Sequence, residues 1–163
     1  MKLATKQLRL EKVRKEHLPQ IFEIWSDSEA GKYMVDSDWG SAEELNVILE
    51  EQDDDYYSFA AFEHDGDEVV ATCRISLEDG GWDIGFNVRK THWGKGFATE
   101  MVQALIGFGR ELGADAICSS AAKANGASCR VLEKCGFEIV GESSFVKKSL
   151  DIIWVRNDYR IKI

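Results

Sequence analysis

Apolar positions recur along the chain with two periods, and the switches between them mark its elements. Residues 7–14 alternate, with Leu8 and Leu10 on one face, and predict a first strand. From His17 the spacing becomes three and four: Leu18, Ile21, Phe22 and Trp25 form one stripe, with Pro19 tolerated in the first helical turn. Ser41-Ala42-Glu43-Glu44 has the form of a capping box opening a second helix that carries Leu45, Ile48 and Leu49. Three β-rich runs follow, at 57–63, 68–77 and 82–88. The short turns His64-Asp65-Gly66-Asp67 and Glu78-Asp79-Gly80-Gly81 join them into an antiparallel meander. A long helix over 97–112 places Phe97, Met101, Leu105, Phe108 and Leu112 on one side and stops at Gly113. A buried strand at 116–122 comes next. Asn125-Gly126-Ala127-Ser128 then opens a helix that buries Val131, Leu132 and Cys135 and ends at Gly136, before closing strands at 137–141 and 152–161. The pattern is α/β (α+β), without internal repeat, low-complexity segment or linker, and reads as one domain spanning 1–163.

Between the strand at 82–88 and the long helix lies Arg89-Lys90-Thr91-His92-Trp93-Gly94-Lys95-Gly96, the chain's most informative stretch. A strand feeding a two-glycine loop and then a helix leaves backbone N–H groups free at the helix start. Together with the positive end of the helix dipole they make an anion site suited to a pyrophosphate. Gly94 and Gly96 let the backbone come close to the phosphates, and Arg89, Lys90 and Lys95 add positive charge. His92 is expected to be solvent-exposed, Trp93 to pack under the loop, and Phe97 to belong to the core.

The totals narrow the partners. The chain has 163 residues, of which 44% are hydrophobic and 30% charged, and a net charge of −9, values that suit an ordinary soluble protein and argue against nucleic-acid binding. No apolar run approaches a membrane span and no signal-peptide core follows Met1, so a cytoplasmic location without membrane association is expected. Cys73, Cys118, Cys129 and Cys135 lack C-x-x-C spacing and His17, His64 and His92 are scattered, so reduced thiols and no metal are expected. A homodimer is left open.

The order of the elements, with Trp93-Gly94-Lys95-Gly96-Phe97-Ala98-Thr99-Glu100 and the run from Asn125 to Phe137, resembles the GNAT superfamily of acetyl-CoA-dependent N-acetyltransferases. It looks most like the RimJ/RimL-like branch, the ribosomal-protein N-acetyltransferases, and the resemblance covers essentially the whole chain. It implies a mixed, mostly antiparallel central sheet with helices on both faces. It also implies acetyl-CoA as cosubstrate and an acceptor amine, either a protein N-terminal α-amine or a small molecule. The cofactor-binding positions it carries over are Val88, Arg89, His92, Trp93, Gly94, Lys95, Gly96, Phe97, Ala98, Thr99, Asn125 and Ser128. Two positions depart from the broader superfamily: Thr91 stands where Gln or Arg is usual, and Leu132 where many members carry a tyrosine proposed as general acid. The RimJ/RimL-like branch often lacks both.

Aminolysis of a thioester requires that a protonated amine lose its proton. Asp83 shares one face of its strand with Gly85 and Asn87 and is the candidate base, and the branch commonly carries an acid there. The other reading of Asp83 is a cap for the turn beside Gly80-Gly81. The resemblance implies that backbone N–H groups polarise the carbonyl where this strand splays from its neighbour. Ser128 is the candidate donor to the leaving sulfur, or else part of the helix start. Asn125 is a cofactor-facing amide or a plain N-cap. The acidic run from Glu50 to Asp55, with Asp36 and Asp38, lies in the half that walls the acceptor side in this family; it either concentrates a cationic amine or is an ordinary solvated loop. Segments 26–39 and 144–150 carry no readable motif.

Two other classes compete. In a dinucleotide-binding fold, Gly94 and Gly96 would be followed by a third glycine, but that position is Thr99, and Asp115 begins its strand instead of ending it. A non-catalytic acyl-CoA-binding module would keep the loop and lose the chemistry.

Overall fold

The computed structural model describes residues 2–35 and 39–163. Its core is one eight-stranded sheet. The strands are β1 (Lys2–Ala4), β2 (Leu8–Lys12), β3 (Tyr56–Glu63), β4 (Ala71–Glu78), β5 (Gly81–Val88), β6 (Ala116–Ala122), β7 (Glu138–Lys147) and β8 (Ile152–Lys162). They lie in the order β1-β2-β3-β4-β5-β6-β8-β7, antiparallel everywhere except between β5 and β6. That parallel pair is joined by α3 (Phe97–Glu111), as a parallel connection requires a crossover.

Helices cover both faces, and β3 shows how the sequence achieves this. Phe59 and Ala61 point into a core with Met101, Leu105 and Phe108 of α3 and Cys129 and Leu132 of α4 (Gly126–Lys134). Ala60 and Phe62 point the other way, against Leu18, Ile21 and Ile24 of α1 (Leu18–Ser26) and Ile48 of α2 (Asn46–Glu51). A strand buried on both faces is apolar at every position, which is why residues 59–62 show no alternation. At Gly109 a Cβ would stand 2.6 Å from Ile117 Cδ1, so the glycine inside α3 is what allows the helix to close onto the sheet. Among the described residues no helix is long and apolar enough to cross a membrane.

Several expectations change. The first strand is shorter than 7–14, and it is preceded by a three-residue strand, β1, too short to show an alternation. The strand expected from Glu68 begins at Ala71, although Val70 N–H still bonds to the Ala61 carbonyl at 2.9 Å. The capping box is not formed as expected. The chain enters α2 through a 3₁₀ turn, Ala42–Leu45, whose tighter winding leaves Ser41 without a side-chain cap, and the Glu44 carboxylate accepts instead from the Gly40 N–H at 3.0 Å. In α4 the buried positions are Cys129 and Leu132, while Val131 and Cys135 are half-buried at the edge of the core. The last hairpin is longer than expected: β7 runs to Lys147 and takes up most of the segment that carried no motif.

Candidate active site

β5 and β6 pair only at Trp82–Ile117 and Asp83–Cys118, yet β5 continues beside β4 to Val88 and β6 beside β8 to Ala122. The two parallel strands therefore diverge beyond Asp83. Ser119 Oγ marks the apex by donating to the Ile84 carbonyl at 2.9 Å. Along β5 the N–H groups alternate sides. Arg89 N–H bonds to Val70 on the β4 side at 2.8 Å, so Gly85 and Asn87 share that side, while Phe86 and Val88 turn their N–H groups toward the opening. This divergence is the one implied for carbonyl polarisation.

The glycine loop enters the same opening from above. Gly94 and Gly96 both have φ of 80°, a left-handed conformation that glycine adopts without strain, and nothing lies within 4 Å of where a Cβ would stand on either. Gly96 is the N-cap of α3 and has no side chain to cap the first N–H groups of the helix. Those donors and the helix dipole face open space, which fits an anion. The loop is held from beneath by residues that the sequence reading missed. Glu100 accepts from Thr5 Oγ1 at 2.6 Å and from the Gln7 N–H at 2.8 Å, and also from the Gln7 amide. That amide in turn donates to the Lys95 carbonyl at 2.9 Å. A carboxylate in the first turn of a helix whose N-terminus stays open for an anion needs donors of its own to turn it away from that site, and this was the available signal.

The side chains around the loop differ from expectation. Arg89 is turned toward α1: its guanidinium meets Glu23 at 3.0 Å, the Val69 carbonyl at 2.9 Å and Glu68 at 3.4 Å. Lys90 is paired with Glu29, and Lys95 stands 4.0 Å from Glu63, so nearby carboxylates offset the positive charge expected for the phosphates. His92 is not solvent-exposed. Its side chain is 12% exposed and its Nε2 lies 3.3 Å from Glu63, because the 3₁₀ turn Lys90–His92 folds it back against the end of β3. Trp93 does not pack under the loop. It is 51% exposed, and its indole N–H donates to the Val88 carbonyl at 2.9 Å. Phe97 is in the core, as expected, and Ala98 and Thr99 are half-buried in the first turn of α3.

Asp83 sits at the apex on the sheet face covered by α1. Arg74 of β4 reaches it at 3.0 Å by lying across Gly85, where a Cβ would meet Arg74 Nε at 3.3 Å. A glycine within a strand signals such a close approach. Burial pushes the Asp83 carboxyl above the usual range, and Arg74 pulls against that shift without cancelling it. The same face extends through Cys118 of β6 to Arg156, Asp158 and Arg160 of β8. Asn87 is committed elsewhere, donating to the Ala30 carbonyl at 2.8 Å.

That bond belongs to a strap made by residues 27–35, which crosses from β5 to the last hairpin. Lys147, only 3% exposed, donates to the carbonyls of Gly31 at 3.0 Å and Met34 at 2.8 Å. Tyr33 packs edge-on against Trp154 with ring centroids 4.9 Å apart. The two segments without a motif are thus each other's partners. Asp36 and Asp38 lie outside the described residues, and Asp53 to Asp55 form the turn into β3, two strands from Asp83 in register.

At the other wall, Asn125 caps α4. Its carbonyl oxygen accepts from the Ser128 N–H at 3.3 Å and its amide donates to Ser128 Oγ at 3.0 Å, an arrangement that leaves the Ser128 hydroxyl hydrogen free to point elsewhere. Leu132 is fully buried. Cys73 is buried as well, its thiol pushed up to about 12 by desolvation. Among the described residues no cluster of His, Cys, Asp and Glu is placed to hold a metal ion.

Residues 7–138 match the acetyltransferase (GNAT) domain. The chain is 30% identical over 148 residues to the uncharacterized N-acetyltransferase p20 of Bacillus licheniformis, covering 85% of this chain and 83% of that protein. Its architecture is shared with a GNAT-family acetyltransferase of Bacillus anthracis, with a TM-score of 0.83 at 22% identity over 99% of this chain and 98% of the other. It is shared too with RimL, a ribosomal L7/L12 alpha-N-protein acetyltransferase solved with coenzyme A, with a TM-score of 0.82 at 18% identity over 100% and 98% of the two chains. Splayed parallel strands, an open helix N-terminus at a glycine loop and these matches agree: the chain belongs to the GNAT family and is an acetyl-CoA-dependent acetyltransferase.

Proposed function

We propose that the acceptor is a primary amine and that Asp83 takes its proton. The observation that carries this reading is the position of Asp83: a half-buried carboxylate, raised above its ordinary pKa, at the point where β5 and β6 part. Bound acetyl-CoA supplies the activated acetyl group as a thioester. The residues assigned to hold it are the loop from Trp93 to Gly96, the first turn of α3 from Phe97 to Thr99, the backbone of Val88, and Asn125 with Ser128 along the pantetheine arm. Arg89 and His92 act indirectly, by fixing the loop to β3, to the residues just before β4 and to α1. Phe86 and Val88 N–H groups orient the carbonyl, Asp83 accepts the ammonium proton, and the Ser128 hydroxyl donates to the departing sulfur.

A raised carboxyl suits the task, since a base closer in pKa to the working pH is the better proton acceptor. The architecture shared with RimL supports a RimJ/RimL-like enzyme and, with it, a protein N-terminal α-amine among the acceptors to be tested beside small amines. A single cytoplasmic domain is part of the same reading, with a homodimer left open.

The test is release of free thiol from acetyl-CoA in the presence of a mixed library of amines and peptides. Turnover is expected in the wild type. Asp83→Asn lowers kcat by roughly 100-fold or more with acetyl-CoA affinity held. Its remaining activity also loses the acid limb of the pH profile, which in the wild type lies above the ordinary aspartate range because ionised Asp83 is needed. Acetyl-CoA binding without turnover of any amine would favour the acyl-CoA-binding module. An unchanged rate in Asp83→Asn assigns Asp83 to the turn.

A further inference from the structure

The face of the sheet that carries Asp83 holds guanidinium groups in two different states. Arg74 is matched by Asp83 at 3.0 Å and by Ser76 Oγ at 2.6 Å. Arg156 is half-buried and has no carboxylate within ion-pair distance among the described residues. Its setting is nonetheless fixed. Nε donates to Ser143 Oγ of β7 at 3.2 Å, and the guanidinium lies over the Phe145 ring at 5.2 Å. The nearest acid along β8, Asp158, accepts the Ser143 hydroxyl at 2.7 Å, so Ser143 stands between the two charges. One edge of the guanidinium is thus pinned and its plane set, while among the described residues its two terminal nitrogens carry no bond to the protein. A planar cation fixed in this way is a bidentate donor for a carboxylate or a phosphorus oxyacid.

Arg156 also lies on the sheet face that carries Asp83. Register carries the face from Asp83 through Cys118 to Arg160, and the two-residue period of β8 returns to it at Asp158 and Arg156. We propose that the acceptor is a small amine that also carries an anionic group, a carboxylate or a phosphorus acid, and that Arg156 binds this group and determines specificity. This rests on the N-acetyltransferase reading with Asp83 as base. The positive charge of Arg156 reaches Asp83 and lowers its pKa.

The test uses matched acceptors with the whole enzyme: α-amino acids, their carboxamides, the corresponding aminoalkylphosphonates, and short peptides with neutral or acidic second residues. At least one amino acid or aminophosphonate is expected to exceed its uncharged counterpart in kcat/KM by tenfold or more, and the better anion names the source. Arg156→Gln raises KM for that acceptor by about ten- to a hundredfold, the loss expected for a hydrogen-bonded ion pair, and abolishes its preference over the uncharged counterpart. Arg156→Lys restores part of the difference. Unchanged CoA affinity and melting temperature show that both variants are folded. Carboxamides turned over as well as their acids, a preference that survives Arg156→Gln, or acetylation confined to peptide N-termini regardless of acidity each overturns the proposal while leaving the N-acetyltransferase reading standing. Turnover of no amine at all removes both.

Discussion

Gly96 and Gly113 flank α3 at opposite ends and offer a matched pair of perturbations. Both have φ of 80°, and neither has an atom within 4 Å of the position a Cβ would take. Valine at either place meets no protein atom near its Cβ and costs only backbone strain, about 1–2 kcal/mol for an L-residue in the left-handed region. For a chain of this size that lowers Tm by roughly 2–8 °C. The ends of the helix differ in what comes near them. At Gly96 the added methyl groups occupy the space through which phosphate oxygens must approach the first N–H groups of α3, and the Kd for coenzyme A should rise at least about tenfold, or 1.4 kcal/mol. At Gly113 the same strain occurs a helix length away from the loop, and Kd should not move. Thermal denaturation and calorimetric titration with coenzyme A measure both quantities on both variants. If Gly96→Val and Gly113→Val bind coenzyme A equally well, the phosphate site is not at this loop. A Tm loss of tens of degrees in Gly96→Val alone would refute the open-space argument instead.

Glu100 should make stability pH-dependent. Burial alone would raise its carboxyl, but hydrogen bonds from Thr5 and Gln7 outweigh that and hold it below the usual range. Its stabilisation is therefore present above the ordinary carboxylate pKa and lost as pH falls through the lowered value. Glu100→Gln should cost about 1–2 kcal/mol at neutral pH, with the gap to wild type closing below about pH 4 in denaturant titrations. A gap independent of pH would mean that only packing was lost. Lys147→Met should cost about 2–4 kcal/mol by leaving the buried Gly31 carbonyl and the half-buried Met34 carbonyl without their donor, whereas Lys148→Met, on the exposed neighbour, should cost nothing measurable in thermal denaturation. Equal effects would remove the anchoring role of Lys147.

What the chain reveals on its own is what depends on local order. The β-meander, the length of α3 and its stop at Gly113, and the glycine loop between strand and helix all follow from periodicity and from residues that act where they stand. The start of α4 at Asn125 is of the same kind, because a cap and its target are three residues apart. Asp83 was also legible, since strand alternation alone puts it on one face with Gly85 and Asn87.

The pairings between distant segments were not legible. No local pattern connects Glu100 to Thr5 and Gln7, or Lys147 to Gly31 and Met34, because each side of such a bond reads as an ordinary polar surface residue until the sheet order brings them together. The ion pairs of His92 and Arg89 were not legible for the same reason: a charge count around a loop does not show which carboxylates the fold brings alongside, and here Glu63, Glu68 and Glu23 are already there. The opening itself is a tertiary fact. It exists because β6 keeps its partner β8 while β5 keeps β4, so two strands adjacent at Asp83 are drawn apart beyond it, and backbone N–H groups that any strand possesses become a site.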